Sequence, residues 1–459
     1  MRVLMLAATC LVLSACGGSS GSNNSTQTNY CQRSDINSQV FCALQRDYLW
    51  YKDLPTSINP DSYNTPEALL NAVIAPQDRF SFIMTEQEYI DRYINATFFG
   101  YGFSSVRVDN NSALQIAYVY DNGSAAQNGL RRGDKITEIE GVSVATWLSR
   151  LDAGTVTSED IYGPNEAGVM RNFVWTKPDT TQLSANFVKS EVTTNTVLHA
   201  SVAIDGDKRI GYLVFNSFIE LSETELEQAF AEFAAQGINE LVLDLRYNGG
   251  GLIRVANQLS TQIAQNSVLN QVFVKYQYND KNTAKNTTTR FSLGQGQTVL
   301  NLDRVFVLTT DGTCSASEMV INSLSPFVDV VQVGSRTCGK PVGMQPDSIG
   351  NYVLFAINFQ TVNALDQGDY FDGLAPTCAA TGTWKVCSSG SVTDLTGLGT
   401  VVVGGVAWAQ QGANDFQFKR SSLVVVSGGR EIKFDVDLAL DDFCLPLRQY
   451  CEARLQCGE

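Results

Sequence analysis

The chain has 459 residues, 44% of them apolar and 17% charged, which supports two or three domains with a sizeable core and excludes wholesale disorder. Its net charge of −15 repels phosphate backbones and so argues against nucleic-acid binding. Beyond that, the acidity speaks only to solubility.

The opening run MRVLMLAATCLVLSAC has a positive start at Arg2, an apolar stretch and a small-residue end. It reads as an export signal over 1–15, too short to span a membrane permanently. LSAC resembles a bacterial lipobox, which predicts cleavage before Cys16 and lipidation of that cysteine. Gly17 after it predicts sorting to the outer membrane of a Gram-negative envelope. Residues 16–30 read as a flexible polar tether. With no later apolar run of about twenty residues, the mature chain is expected to be anchored by lipid and not to span.

Residues 31–93 carry apolar residues at helical spacing, and Pro66 sits early in TPEALLNAVIA, so this part reads as a helical packing segment without chemistry. Residues 94–192 read as a small β-domain. Strands are expected in FFGYGFSSVRV and ALQIAYV, a short helix at 125–128, a strand after the Gly133-Asp134 turn, and a closing hairpin in RNFVWTKPDTTQLSANFVKSEV. Gly100-Tyr101-Gly102-Phe103 resembles the carboxylate-binding loop of PDZ domains, and NGLRRGDKITEIEGV resembles their later helix–strand signature. Glycines let successive N–H groups converge on a peptide carboxylate while a strand edge accepts the peptide as an added strand.

Residues 193–459 alternate strands and helices, which predicts an α/β domain and makes the whole a multidomain α/β (α+β) protein. KRIGYLVF reads as a strand with Tyr212 and Phe215 in the core. A capping box is expected at Ser222 and Glu225, then a helix burying Leu226, Phe230 and Phe233 and ending at Gly237. LVLDLRYNGGG reads as a buried strand running into a glycine loop. RVFVLTTDG and VDVVQVG repeat the strand–loop pattern.

GTCSASEM puts Ser315 at a turn into a helix, and GSRTCGK puts Lys340 just after the next strand. The chain's one histidine, His199, lies far from both and reads as a surface or core residue. A serine nucleophile here therefore needs another base, and lysine is the alternative. Such a lysine must be neutral, which burial between strands favours. Ser317, the rival nucleophile, reads as the cap of the following helix. Cys314 as a thiolate would need a free thiol and a histidine. The Ala316 N–H, at a helix start, is a candidate oxyanion donor.

These motifs behind a PDZ-like segment resemble the C-terminal processing (tail-specific) serine proteases, over roughly 94–350. The resemblance implies a crotonase-like ββα architecture, Ser315 as nucleophile, Lys340 as base, and a second oxyanion donor from Gly250 or a neighbour in Asn248–Gly251. Asp244 and Arg246 read as braces for that loop. Many members place a lysine-orienting glutamine four residues after the base; here Met344 stands there. Either Gln345 serves through a shifted loop or that support is absent.

Setting aside Cys10 and Cys16, nine cysteines remain, in local groups that suit disulfides in an oxidising compartment. The expected pairs are Cys31–Cys42, Cys314–Cys338 and Cys378–Cys387, with one more among Cys444, Cys451 and Cys457. Cys314–Cys338 would bracket the serine and lysine and make their geometry sensitive to redox state. Zinc is the weaker reading, without a C-x-x-C pair, and no cofactor is required. The expectation is thus a lipid-anchored serine endopeptidase of the envelope that reads polypeptide C-termini. The alternative is a non-catalytic PDZ-type peptide-binding lipoprotein. A lipase would show G-x-S-x-G and a histidine partner.

Overall fold

The computed structural model describes residues 29–205 and 207–379, and beyond these only the strands Thr400–Val403, Ser421–Ser427 and Arg430–Val436. The expected signal, tether and Cys16 lie outside the described residues. So do Cys387, Cys444, Cys451 and Cys457.

The N-terminal segment holds two capped helices. Ile36–Asp47 starts under Asp35, whose carboxylate accepts the Ser38 N–H at 2.9 Å. Pro66–Val73 starts under Thr65, with Pro66 at the first position, where its missing N–H costs nothing. Their apolar faces (Val40, Phe41, Leu44, Leu69, Leu70, Val73) share one core with Val342, Ile349, Leu354 and Ile357 from the far end of the chain. The purely helical expectation for 31–93 is corrected: Phe82–Thr85 is a strand, paired antiparallel with Tyr352–Phe355. The segment is thus stitched into the large domain.

The second domain is a six-stranded antiparallel sheet in the order Phe103–Val108, Ala113–Val119, Lys135–Ile139, Met170–Thr176, Gln182–Val188, with Val142–Ser143 also paired to Lys135–Ile139. Alternate residues such as Phe173 and Trp175 point into its core with Ile116, Ile136 and Phe187. Thr97–Gly100 pairs with Ser190–Thr193 and closes the domain at its neck. Two short helices, Val144–Asp152 and Ser158–Tyr162, lie before the closing hairpin and start at side-chain caps from Ser143 and Thr157.

The large domain is built on a sheet in the order Val197–Asp205, Lys208–Phe215, Glu240–Asp244, Arg304–Thr309, Asp329–Gly334, Cys378–Ala379. The first pair is an antiparallel hairpin, and the remaining pairs are parallel. His199 lies within the first strand, against Ser201 and Tyr212. Helix Ser222–Ala235 buries Leu226, Phe230 and Phe233 on the sheet, and Gly237 follows it at φ +63°. The expected capping box there does not form. Ser222 Oγ donates to the Ser217 carbonyl, while the Glu225 carboxylate accepts both N–H groups of Thr196 and Val197 and the Thr196 hydroxyl. Tertiary partners outbid the local one.

Candidate active site

Three adjacent parallel strands end on the same side of the large sheet, and each feeds one loop of the site. Glu240–Asp244 leads to the glycine loop, Arg304–Thr309 to Ser315, and Asp329–Gly334 to Lys340. Convergence at the carboxyl ends of neighbouring strands is what the parallel topology provides.

Ser315 caps helix Ala316–Leu324 from φ +56°, ψ −114°, a backbone conformation that a residue with a Cβ rarely adopts. Its neighbours over-determine it. The Cys314 N–H and Ser317 Oγ both donate to the Asn248 carbonyl, at 3.1 and 2.9 Å, and Thr313 Oγ1 donates to the Leu245 carbonyl at 2.9 Å. Ser317 is fully buried and spent on Asn248, so its expected role as the cap is corrected in favour of Ser315. Asp244 and Arg246 form a buried ion pair at 2.7 Å, with the Tyr212 hydroxyl donating to the same carboxylate at 2.8 Å; they brace the glycine loop.

Burial lowers the pKa of Lys340 from its ordinary 10.5 to about 8, against the opposing pull of Asp78 and Glu318. Its Nζ lies 5.1 Å from the centre of the Phe80 ring. Its loop is joined to that of Ser315 by the expected Cys314–Cys338 disulfide and by a second link that the sequence did not show. The fully buried Glu318 carboxylate accepts from the Ser315 N–H (2.9 Å), the Thr337 hydroxyl (2.6 Å), and the N–H groups of Gly339 and Lys340 (both 2.8 Å). Desolvation raises its pKa, while these donors stabilise the carboxylate. The Cys314–Cys338 disulfide closes the same two loops, and a second disulfide joins Cys31 to Cys42. Cys314, Glu318 and Cys338 are the one metal-ligand-like grouping among the described residues, but the disulfide withholds both thiolates.

Gly250 is pressed against the serine: a Cβ there would lie 2.7 Å from Ser315 Cβ and 2.9 Å from the Ala316 nitrogen, at φ +100°. Only glycine fits. Its N–H, expected to be free for an oxyanion, instead donates to Asn248 Oδ1 at 2.9 Å. The Ala316 N–H, at the helix start, makes no hydrogen bond among the described residues. Gln345 is exposed at the cleft, where its backbone N–H donates to Asn358 Oδ1. Among the described residues its side chain makes no hydrogen bond to Lys340.

Ser315 and Lys340 open onto one cleft of about 1330 Å³. The N-terminal segment contributes Phe82 and Tyr89 to its wall, the small β-domain Phe98 and Tyr120, and the large domain Gly250, Met319 and Phe359. In the Gly100–Phe103 loop, the Tyr101 and Gly102 carbonyls accept from Ala125 and Tyr120. Tyr101 itself is a core residue whose hydroxyl donates to the Tyr162 carbonyl. Gly102, at φ +85°, packs against Gly123. Phe103 starts the edge strand Phe103–Val108, which among the described residues pairs on one side only. Among those residues no helix is long and apolar enough to cross a membrane.

Family models match three parts of the chain: the peptidase S41 N-terminal domain at 35–82, the PDZ domain at 94–158 and peptidase family S41 at 209–379. A solved Bacteroides fragilis structure designated an S41 protease is 28% identical, covers 74% of this chain and 89% of its own, and superposes with a TM-score of 0.58. The carboxy-terminal processing protease CtpA of Bacillus subtilis is 27% identical over 60% of this chain and 54% of its own length. The chloroplastic C-terminal processing peptidase of Tetradesmus obliquus is 23% identical over 66% of this chain and 64% of its own. The chain thus spans between half and two thirds of the length of these two curated relatives.

Proposed function

We propose that this chain, built from the N-terminal domain, PDZ domain and peptidase domain of the S41 peptidases, is a serine endopeptidase with Ser315 as nucleophile and Lys340 as general base. One observation carries the reading. A serine at a strained helix start and a lysine depressed by burial share a cleft, and a single buried carboxylate and a disulfide tie their loops together.

Neutral Lys340 takes the Ser315 proton as Oγ attacks the peptide carbonyl carbon. The Ala316 N–H, at the positive end of its helix, is aimed at the developing oxyanion. Collapse of the tetrahedral species expels the amine, which the Lys340 ammonium protonates. Water, deprotonated in turn by Lys340, then hydrolyses the acyl-enzyme ester. The Gly250 N–H becomes a second oxyanion donor only if its bond to Asn248 opens.

The one-sided edge strand after the Gly100–Phe103 loop supports peptide capture by strand addition, with the substrate C-terminus at the loop. The names of the B. subtilis and T. obliquus relatives point to the same C-terminal preference. The lipobox-like run ending at Cys16 and the disulfides support export and lipid anchoring in a bacterial envelope. Incubating wild type, Ser315→Ala and Lys340→Ala with a disordered protein tests the chemistry. Cleavage by wild type alone is expected, and equal cleavage by Ser315→Ala would sink the assignment.

A further inference from the structure

The N-terminal segment does more than pack. Its turn Asp78-Arg79-Phe80-Ser81 crosses to the lysine loop, about 260 residues away in sequence, and touches it twice. Arg79 Nη2 donates to the Cys338 carbonyl at 2.9 Å and to the Phe371 carbonyl at 3.3 Å, and the Phe80 ring faces Lys340 Nζ at 5.1 Å. The turn is rigid. Buried Asp78 accepts the Phe80 and Ser81 N–H groups at 2.9 Å, the Tyr48 hydroxyl at 2.6 Å and the Ser81 hydroxyl at 2.5 Å. Ser81 Oγ in turn accepts the Ile357 N–H at 3.0 Å.

We propose that this turn is a positioning element for the general base, with Phe80 forming the apolar wall that keeps water from Lys340 Nζ and Arg79 holding the lysine loop against that wall. The proposal rests on Lys340 being the base.

Two opposed effects meet at the ring. Its face attracts an ammonium, while its bulk excludes the water that an ammonium needs. Burial is the largest influence on Lys340, and the Phe80 ring at 5.1 Å is part of what surrounds its Nζ. The charged groups around Nζ come from two elements. Asp78 and Arg79 lie on the turn itself, and Glu318 on the nucleophile helix. Buried Tyr370 lies beyond, within electrostatic reach of Glu318. Asp78 and Glu318 favour the ammonium, so the apolar wall must outweigh both.

The test measures, from pH 6 to 10.5, the rate of Ser315 acylation by a fluorophosphonate probe and kcat on a disordered polypeptide, using the full chain. Phe80→Ala is expected to move the midpoint of the rising limb up by about one pH unit, so that reaction at pH 8 slows about five-fold while that at pH 10 barely changes. Phe80→Leu keeps an apolar wall and is expected to hold the wild-type midpoint. If the alanine variant does not fold, Phe80→Gln puts a polar amide in place of the ring and is expected to shift the midpoint as alanine would. Arg79→Ala, at an exposed site, is expected to loosen the lysine loop from the ring, moving the midpoint up by a smaller amount than Phe80→Ala and cutting kcat at pH 8 several-fold. A uniform loss at every pH in the Phe80→Ala or Phe80→Gln variants, with the wild-type midpoint, reduces Phe80 to packing and overturns the proposal. An Arg79→Ala variant with wild-type kcat overturns the holding role. Ser315→Ala, run beside them, separates the two levels: if it still turns over, the dyad reading has failed and not this one alone.

Discussion

Replacing Glu318 by glutamine puts the link between the Ser315 and Lys340 loops under direct test. The native carboxylate is an acceptor only, and four donors converge on it. One of its oxygens takes the Ser315 and Lys340 N–H groups, the other the Thr337 hydroxyl and the Gly339 N–H. A glutamine has a single acceptor oxygen. Its cheapest orientation keeps the Ser315–Lys340 side and turns the amide NH2 toward Thr337 and Gly339. The Thr337 hydroxyl can rotate and accept, but the buried Gly339 N–H then faces another N–H. One unmet buried donor costs about 1–3 kcal/mol. Urea unfolding at pH 7 is therefore expected to show a loss of that size. The substitution also removes a negative charge that favours the Lys340 ammonium, so the rising limb of kcat against pH is expected to move below about 8. The two effects have different causes and separate assays. Unchanged stability together with a limb that stays put or moves up would refute the view of Glu318 as a charged clasp.

The remaining predictions concern the base and the glycine loop. Lys340 drops from 10.5 to about 8 on folding. Between those values the unfolded chain holds a proton that the folded chain has released, so stability rises with pH across that window and the burdening of the fold is complete below it. Lys340→Met is accordingly expected to abolish cleavage yet to stabilise the protein at pH 7 by up to about 3 kcal/mol, an advantage that fades above pH 10. Equal or lower stability than wild type at pH 7, by urea unfolding, would contradict it. Gly250→Ala forces a Cβ to within 2.7 Å of Ser315 Cβ at φ +100°. It should lower the rate of acylation by a serine-directed probe by about 10²-fold or more, since a 1 Å misplacement at a reacting centre costs that much. Acylation within three-fold of wild type would show that the glycine loop yields freely.

The meeting of the Ser315 and Lys340 loops was legible because its cues are local. Each of the loops carrying Ser315 and Lys340 follows an apolar strand, and parallel strands deliver such loops to one edge. The lone histidine removed the usual base, and the spacing of Cys314 and Cys338 hinted that the loops meet. What was not legible depends on side chains finding partners far along the chain. Ser315 and Glu318 have the spacing of a capping box, and local reasoning stops there. Nothing in that spacing says that the same carboxylate also takes two N–H groups from Gly339 and Lys340. Ser222 and Glu225 show the converse. The local pattern was present, yet Glu225 went to Thr196 and Val197, because burying two unpaired backbone donors would cost more than leaving one helix end uncapped.

The same asymmetry explains why 31–93 read as inert. A helical face shows that it packs, but not against what. Here its partner is the strand pair that follows the lysine loop, joined through Phe82–Thr85 and a shared core containing Val342 and Ile357. Once the segment is docked there, its turn at 78–81 has only one place to go, and that place is beside Lys340. On the proposed reading, docking of the N-terminal segment and depression of the lysine pKa go together. A chain with that segment displaced would hold an exposed, protonated Lys340 and, by the same chemistry, an unreactive Ser315.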